Sequence, residues 1–151
     1  MAIIDKPSDY FNTVVYTGNG SSSHGITGVG FKPDWTWIKS RSNATDHILT
    51  DIVRGVTVGI KSNTTAGNAT DSNQLKSFDS DGFTIKTSDS TWNTNSSTYV
   101  LWGWKGNGGT TSSNTDGDVT STVQVNQDAG FSIITDGPHA NTNARTIGHG
   151  L

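Results

Sequence analysis

Two pairs of acidic residues have the type and spacing that suit metal chemistry. Asp79 and Asp81 lie two residues apart, and Asp116 and Asp118 repeat that spacing. Clustered carboxylate oxygens are the ligands that a hard cation such as Ca²⁺ takes. Asp-Ser-Asp-Gly between two phenylalanines is also typical of a tight hairpin turn, and the further ligands of a calcium loop are missing from this stretch. The turn is the favoured interpretation. Calcium at Asp79 and Asp81 is the alternative, and no other cofactor is expected.

Carboxylates are also the reagents of glycoside hydrolysis, which needs a pair at fixed separation with one member held protonated. All thirteen acidic residues are aspartate, whereas sandwich-type glucanases generally use glutamate in both roles. Asp46 and Asp51 lie near each other in sequence, but a separation of five residues puts them on opposite faces of an extended strand. The sequence therefore predicts a protein that is not an enzyme.

Aromatic side chains offer a different chemistry, because their faces stack on sugar rings. Trp35 and Trp37 are two residues apart, as are Trp102 and Trp104, so each pair shares one face of a strand. A same-face pair in a half-buried strand is more often core than ligand platform, so these four are expected in the core. Trp92 lies among Asn, Ser and Thr and is the candidate for an exposed glycan contact, together with Tyr99.

The elements that must position these residues are short and extended. Seven apolar stretches are bounded mostly by glycine, asparagine and aspartate, which favour turns, and they cover residues 11–16, 35–38, 47–53, 82–85, 99–104, 119–125 and 131–135. One helical turn is expected over residues 71–78, where Leu75 and Phe78 would share a face. The pattern predicts an all-β fold, an antiparallel β-sandwich with little or no helix.

Composition narrows the classes of function. A chain of 151 residues has room for one core, and it contains no cysteine for a disulfide framework or a thiolate metal site. A net charge of −3 gives no electrostatic footprint for nucleic acid. The N-terminus lacks the pattern of a signal peptide, and no stretch approaches the ~20 apolar residues of a membrane span. We therefore expect synthesis in a cytoplasm, with neither export nor membrane insertion.

An internal repeat organises the chain. Phe11-Asn12-Thr13-Val14 resembles Phe131-Ser132-Ile133-Ile134, and Gly28-Val29-Gly30-Phe31 matches Gly148-His149-Gly150-Leu151 in the same register. The expected organisation is an extension over residues 1–9, a sandwich over 10–127, and a segment over 128–151. That last segment is either the opening of a second, truncated repeat or a strand that closes the first sheet or is swapped with a neighbour.

The sequence resembles a repeat domain found in tail-fibre and other virion proteins of marine bacteriophages. The resemblance rests on Asp79-Ser80-Asp81-Gly82-Phe83, on Leu101-Trp102-Gly103-Trp104-Lys105, and on residues 7–20, 26–35, 37–41 and 51–55 in the same order. It implies a jelly-roll sandwich similar to the concanavalin A-like and laminin-G architectures. The departure is Thr135-Asp136-Gly137-Pro138, where that family usually shows a Tyr-Thr-Gly-Asn-type turn.

These observations favour a virion structural module, either in a fibre or appendage or in a capsid decoration. It is expected to assemble with copies of itself and other virion proteins through exposed strand edges. Phe131, Ile133 and Ile147 are the residues expected to bury their side chains at the joint. The alternative is a lectin-like module that binds a host-surface glycan, and a carbohydrate-active enzyme ranks third.

Overall fold

The computed structural model describes residues 4–137 and 144–151. These residues contain twelve strands, which pair antiparallel, and a 3₁₀ turn at Pro7–Asp9 that precedes them. The strands are β1 Phe11–Thr17, β2 His24–Thr27, β3 Trp35–Ser40, β4 Ile48–Asp51, β5 Val58–Lys61, β6 Ala69–Thr70, β7 Leu75–Asp79, β8 Gly82–Ile85, β9 Thr98–Trp104, β10 Ser112–Asn114, β11 Ser121–Asn126 and β12 Phe131–Thr135. Among the described residues, no helix is long and apolar enough to cross a membrane. The predicted all-β class is confirmed.

The largest sheet has six strands in the order β1-β9-β3-β4-β5-β6, and it faces a three-stranded sheet in the order β2-β8-β7. Side chains from both sheets form one buried cluster, which makes the pair a sandwich. Ile38, Leu101 and Tyr99 supply the six-stranded side of the core, while Phe83 and Ile85 supply the other. All five side chains are fully buried, so the core consists of alternate residues from short strands.

The alternation in β3 and β9 corrects the prediction that four tryptophans belong to the core. Thr36, Ile38 and Ser40 point inward and are buried, so Trp35 and Trp37 lie half-buried on the outer face. Trp102 and Trp104 are half-buried on the same outer face, because β9 turns Tyr99, Leu101 and Gly103 inward. Each pair does share a face, as expected. The predicted face was wrong because the alternate residues of each strand, Ile38 of β3 and Tyr99 and Leu101 of β9 among them, fill the space between the two sheets.

A second three-stranded sheet, in the order β10-β11-β12, is appended to the sandwich. The segment that begins at Phe131 pairs antiparallel with β11 of the same chain, so it forms the last strand of this appended sheet. Phe131 stacks near Trp104, with ring centroids 6.3 Å apart, and meets the ring of Trp35 at 6.5 Å. The appended sheet therefore covers one end of the outer aromatic face. Residues 138–143 of the predicted closing segment lie outside the described residues.

All seven predicted stretches contain a strand, and the predicted helical turn at residues 71–78 is wrong. The segment Leu75–Asp79 is a strand, with an irregularity in its pairing with β8 between Leu75 and Ser77. That extra residue brings Leu75 and Phe78 onto one face although they are three positions apart. A spacing that is typical of a helix is produced here by a β-bulge.

Candidate functional site: a free strand edge and a polar cleft

The first strand forms one edge of the six-stranded sheet, and β9 is its only partner strand within residues 4–137 and 144–151. Beyond its two ends, the Gly18 amide donates to the Ser97 carbonyl at 2.7 Å and the Lys105 amide donates to the Tyr10 carbonyl at 2.8 Å. Antiparallel pairing alternates, so even-numbered residues of β1 bond to β9. The backbone groups of its odd-numbered residues point away from the sheet and form a free edge.

The side chains along this edge carry no charge and two of the large ones are exposed. Val15 is 56% exposed and Phe11 is 38% exposed. Edge strands are commonly blunted by lysine, proline or a bulge, and β1 has none of these. One of the outward backbone groups has a partner on a side chain: the Thr13 amide donates to Asn12 Oδ1 at 2.9 Å. This edge is the longest unblunted strand edge among the described residues.

The predicted glycan contacts Trp92 and Tyr99 are buried, which corrects their assignment as exposed residues. Trp92 is 4% exposed and Tyr99 is 0% exposed. The Tyr16 hydroxyl donates to the Trp92 carbonyl at 2.9 Å, and the Tyr99 hydroxyl donates to the Ser90 carbonyl at 3.0 Å. Burial, and then the nearby Tyr99, raise the pKa of Tyr16 well above its ordinary value. The polar residues around Trp92 form a tight turn that packs its indole inward.

The predicted calcium ligands Asp79 and Asp81 have protein partners instead. The Asp79 carboxylate accepts from Ser77 Oγ and Thr84 Oγ1, each at 2.7 Å. Asp81 lies in the two-residue turn between β7 and β8, and its carboxylate accepts from the backbone amides of Gly30 at 2.5 Å and Gly28 at 3.0 Å. These amides, Gly30 first, lower the pKa of Asp81. Within residues 4–137 and 144–151, no cluster of three metal-ligating side chains occurs.

Two of the three predicted assembly residues are used within the chain. Ile133 is 5% exposed, inside the appended sheet, and Phe131 packs against Trp35 and Trp104. Ile147 remains 41% exposed, and its backbone forms an isolated parallel bridge with Val119. Two of the three predicted joint residues are therefore occupied by contacts within the chain itself.

A buried carboxylate fixes the appended sheet to the sandwich. Asp34 is 1% exposed, and its Oδ2 accepts from the amides of Gly106 at 2.7 Å and Gly108 at 3.2 Å. Its Oδ1 accepts from Nε2 of Gln124, a fully buried side chain of β11, at 3.2 Å. Asn126 adds a second connection, since its Nδ2 donates to the Gly106 carbonyl at 3.0 Å. Polar contacts hold the two parts together at this point.

An open cleft of about 750 Å³ lies where the two parts meet. One wall comes from Tyr10 and Lys105, at the end of the sandwich, and the other comes from the appended sheet. The Lys105 ammonium lies 5.9 Å from the centroid of the Tyr10 ring. The remaining lining is mostly amide, hydroxyl and carboxylate side chains. Sequence reasoning missed this cleft, because its residues come from loops and from strands β10 and β11, lie far apart in sequence and carry no motif.

Fold and surfaces together define a class: an all-β antiparallel sandwich that carries an appended sheet, a free apolar edge and a polar cleft. Residues 6–151 match the family described as "Domain of unknown function (DUF7483)". The chain therefore belongs to that family. No curated protein matches the sequence, and no solved structure matches it either.

Proposed function

We propose that this domain is a non-catalytic structural module of a bacteriophage virion, where two copies join through the free edge of β1. The observation that carries the proposal is an uncharged seven-residue edge strand whose outward backbone groups have no partner strand among the described residues. The virion setting, and assembly with other virion proteins, rest on the resemblance to tail-fibre domains. Synthesis in a host cytoplasm, a jelly-roll strand order and a non-enzymatic role belong to the same proposal.

The chemistry of the strand suits pairing with a second copy of itself. An antiparallel β1–β1 pair centred on Val14 is the register that uses the full length of both strands. It places Thr13 opposite Val15 of the second copy and Phe11 opposite Thr17. β-Branched pairs of this kind are favourable across strands, and no like charges meet. About eight backbone hydrogen bonds would form across the twofold axis, and the two six-stranded sheets would become continuous.

Light scattering coupled to size exclusion, run over a series of protein concentrations, tests the joint. We expect a dimer for the unmodified chain and a monomer for Val15→Lys. The substitution puts one lysine on each of the two β1 strands that would pair, and a charged lysine on an edge strand disfavours pairing. Ile134→Lys is the matched control, since Ile134 is also an exposed apolar residue, 38% exposed, on an edge strand of the appended sheet.

A monomer at every concentration would contradict the proposal. So would a dimer that only Ile134→Lys dissociates, because that result would place the joint at β12. Electron microscopy of particles with an antibody against this chain tests the setting separately, and absence of the protein from purified virions would refute a virion role.

A further inference from the structure

We infer that the cleft between the sandwich and the appended sheet is a binding site for a neutral oligosaccharide. The inference does not depend on the proposed function, because none of the residues that line the cleft belongs to β1. Its support comes from the unoccupied polar groups, the rigidity of the walls and the balance of charge.

The cleft presents polar side chains that the protein itself does not use. Asn107, Ser112 and Asp128 line it, and within the described part of the chain their side chains make no hydrogen bond. Asn107 and Asp128 come from two separate loops, and Ser112 begins β10, so three different segments of the chain supply these groups. The amide of Asn107 and the hydroxyl of Ser112 can each donate and accept hydrogen bonds, and the carboxylate of Asp128 can accept them. A ligand with many hydroxyl groups could therefore bond to all three.

Aromatic and apolar surfaces lie beside these polar groups. Tyr10 is half-buried at one end of the cleft, and Val125 is half-buried on its wall. A sugar ring has an apolar face of C–H groups as well as a rim of hydroxyls, so it can pack on a phenol ring while its hydroxyls bond to the polar wall. A site with few apolar atoms would not suit a lipid or an apolar peptide.

The walls are held in place before any ligand arrives. The Asn126 side chain donates to the carbonyls of both Lys105 and Gly106, at 3.3 and 3.0 Å, and accepts the Ala129 amide at 3.0 Å. The bond between Asp34 and Gln124 fixes the strand behind this contact. Pre-organised walls lower the conformational entropy lost on binding, which matters for a weakly held ligand such as a sugar.

The charges of the lining favour a neutral ligand. The lining includes two carboxylates, Asp116 and Asp128, and one ammonium, Lys105, so the cleft carries more negative than positive groups. A sulfated or uronic sugar would be repelled by these carboxylates. Asp116 also accepts from the Asn114 side chain at 3.1 Å, which gives this carboxylate a structural partner.

The test uses an immobilised panel of neutral oligosaccharides together with their sulfated and uronic counterparts, followed by calorimetric titration of the best neutral hexasaccharide. We expect binding to a neutral member. Tyr10→Ala and Asn107→Ala should each raise Kd at least about tenfold, or abolish the signal. Asn68→Ala is the matched control for Asn107→Ala, because Asn68 is an exposed loop amide that does not line the cleft. It should leave Kd unchanged.

Three results would overturn the inference: no neutral sugar bound, binding confined to the anionic sugars, or a Kd that Tyr10→Ala and Asn107→Ala leave unchanged. Thermal melting of each variant identifies a loss of binding that is only a loss of fold, and Asp128→Asn then provides a third probe of the same cleft, at an exposed residue. The monomeric Val15→Lys variant should still bind the sugar, which separates this result from the assembly test.

Discussion

Replacing Asp34 by alanine should weaken the attachment of the appended sheet to the sandwich and lower the free energy of unfolding. The carboxylate accepts from three donors, of which the Gly106 amide and the Gln124 side chain are in buried residues, and Gly108 is exposed. A buried donor left without an acceptor costs about 1–3 kcal/mol, whereas an exposed one is rehydrated. Two buried donors therefore predict a loss of about 2–6 kcal/mol in the free energy of unfolding.

Asp34→Asn is the informative companion variant. An asparagine oxygen can still accept from the Gly106 amide. Its amide would face Nε2 of Gln124, so the Gln124 side-chain amide must turn over to present Oε1, an atom that is buried and without a partner among the described residues. The loss should therefore be smaller, about 1–2 kcal/mol, chiefly from weaker hydrogen bonds to an uncharged acceptor. Urea unfolding followed by tryptophan emission measures both values, because Phe131 of the appended sheet packs on Trp35 and Trp104. A loss below about 1 kcal/mol for Asp34→Ala, or a larger loss for Asp34→Asn, would refute this account of the joint.

Three further predictions concern groups inside and around the sandwich. Tyr99→Phe should lower the free energy of unfolding in urea by about 1–3 kcal/mol, because the amide of Thr94 and the carbonyl of Ser90 both lose their partner. A change smaller than about 0.5 kcal/mol would contradict this prediction. Thr36→Val and Thr50→Val should each destabilise by about 1–2 kcal/mol, and the double variant by less than their sum, since their buried hydroxyls are 2.6 Å apart; additive losses would argue against the pair. The pKa of Asp81 is lowered in the folded chain, so its stabilising contribution is present above the ordinary carboxyl pKa and is lost as pH falls through the lower folded value. In that acid range the melting temperature of Asp81→Asn should fall less steeply with decreasing pH than that of the unmodified chain. An unchanged slope would show that the Asp81 carboxylate does not stabilise the loop that contains Gly28 and Gly30.

The strands that sequence reasoning found are those whose apolar residues are dense and bounded by turn residues. Four strands, β2, β5, β6 and β10, were missed because each has four residues or fewer, and their pairing is decided by neighbouring strands rather than by local pattern. β7 was assigned to the wrong class because the bulge after Leu75 imitates a helical spacing. A local sequence pattern indicates the two-residue period of a strand. It indicates neither where a β-bulge lies nor which strand is the partner.

The candidate sites were harder to predict for a related reason. The same-face pairing of Trp35 with Trp37 was correct, but the choice of face depends on what the opposite sheet can accommodate. Trp92 was expected outside because its neighbours are polar, whereas a turn closed by the Asp89 carbonyl directs the indole inward. The cleft joins Tyr10 to Asp128, and no local pattern connects residues so far apart.

The pairing of the first strand with the ninth has a consequence for how the chain is made. β1 leaves the ribosome before β9, its only partner strand among the described residues, and β9 is synthesised about ninety residues later. Contacts between residues so distant in sequence form slowly, because a long loop must close before they stabilise anything. Both edges of β1 therefore wait unpaired during translation, and chains growing side by side on one messenger would have time to meet through them.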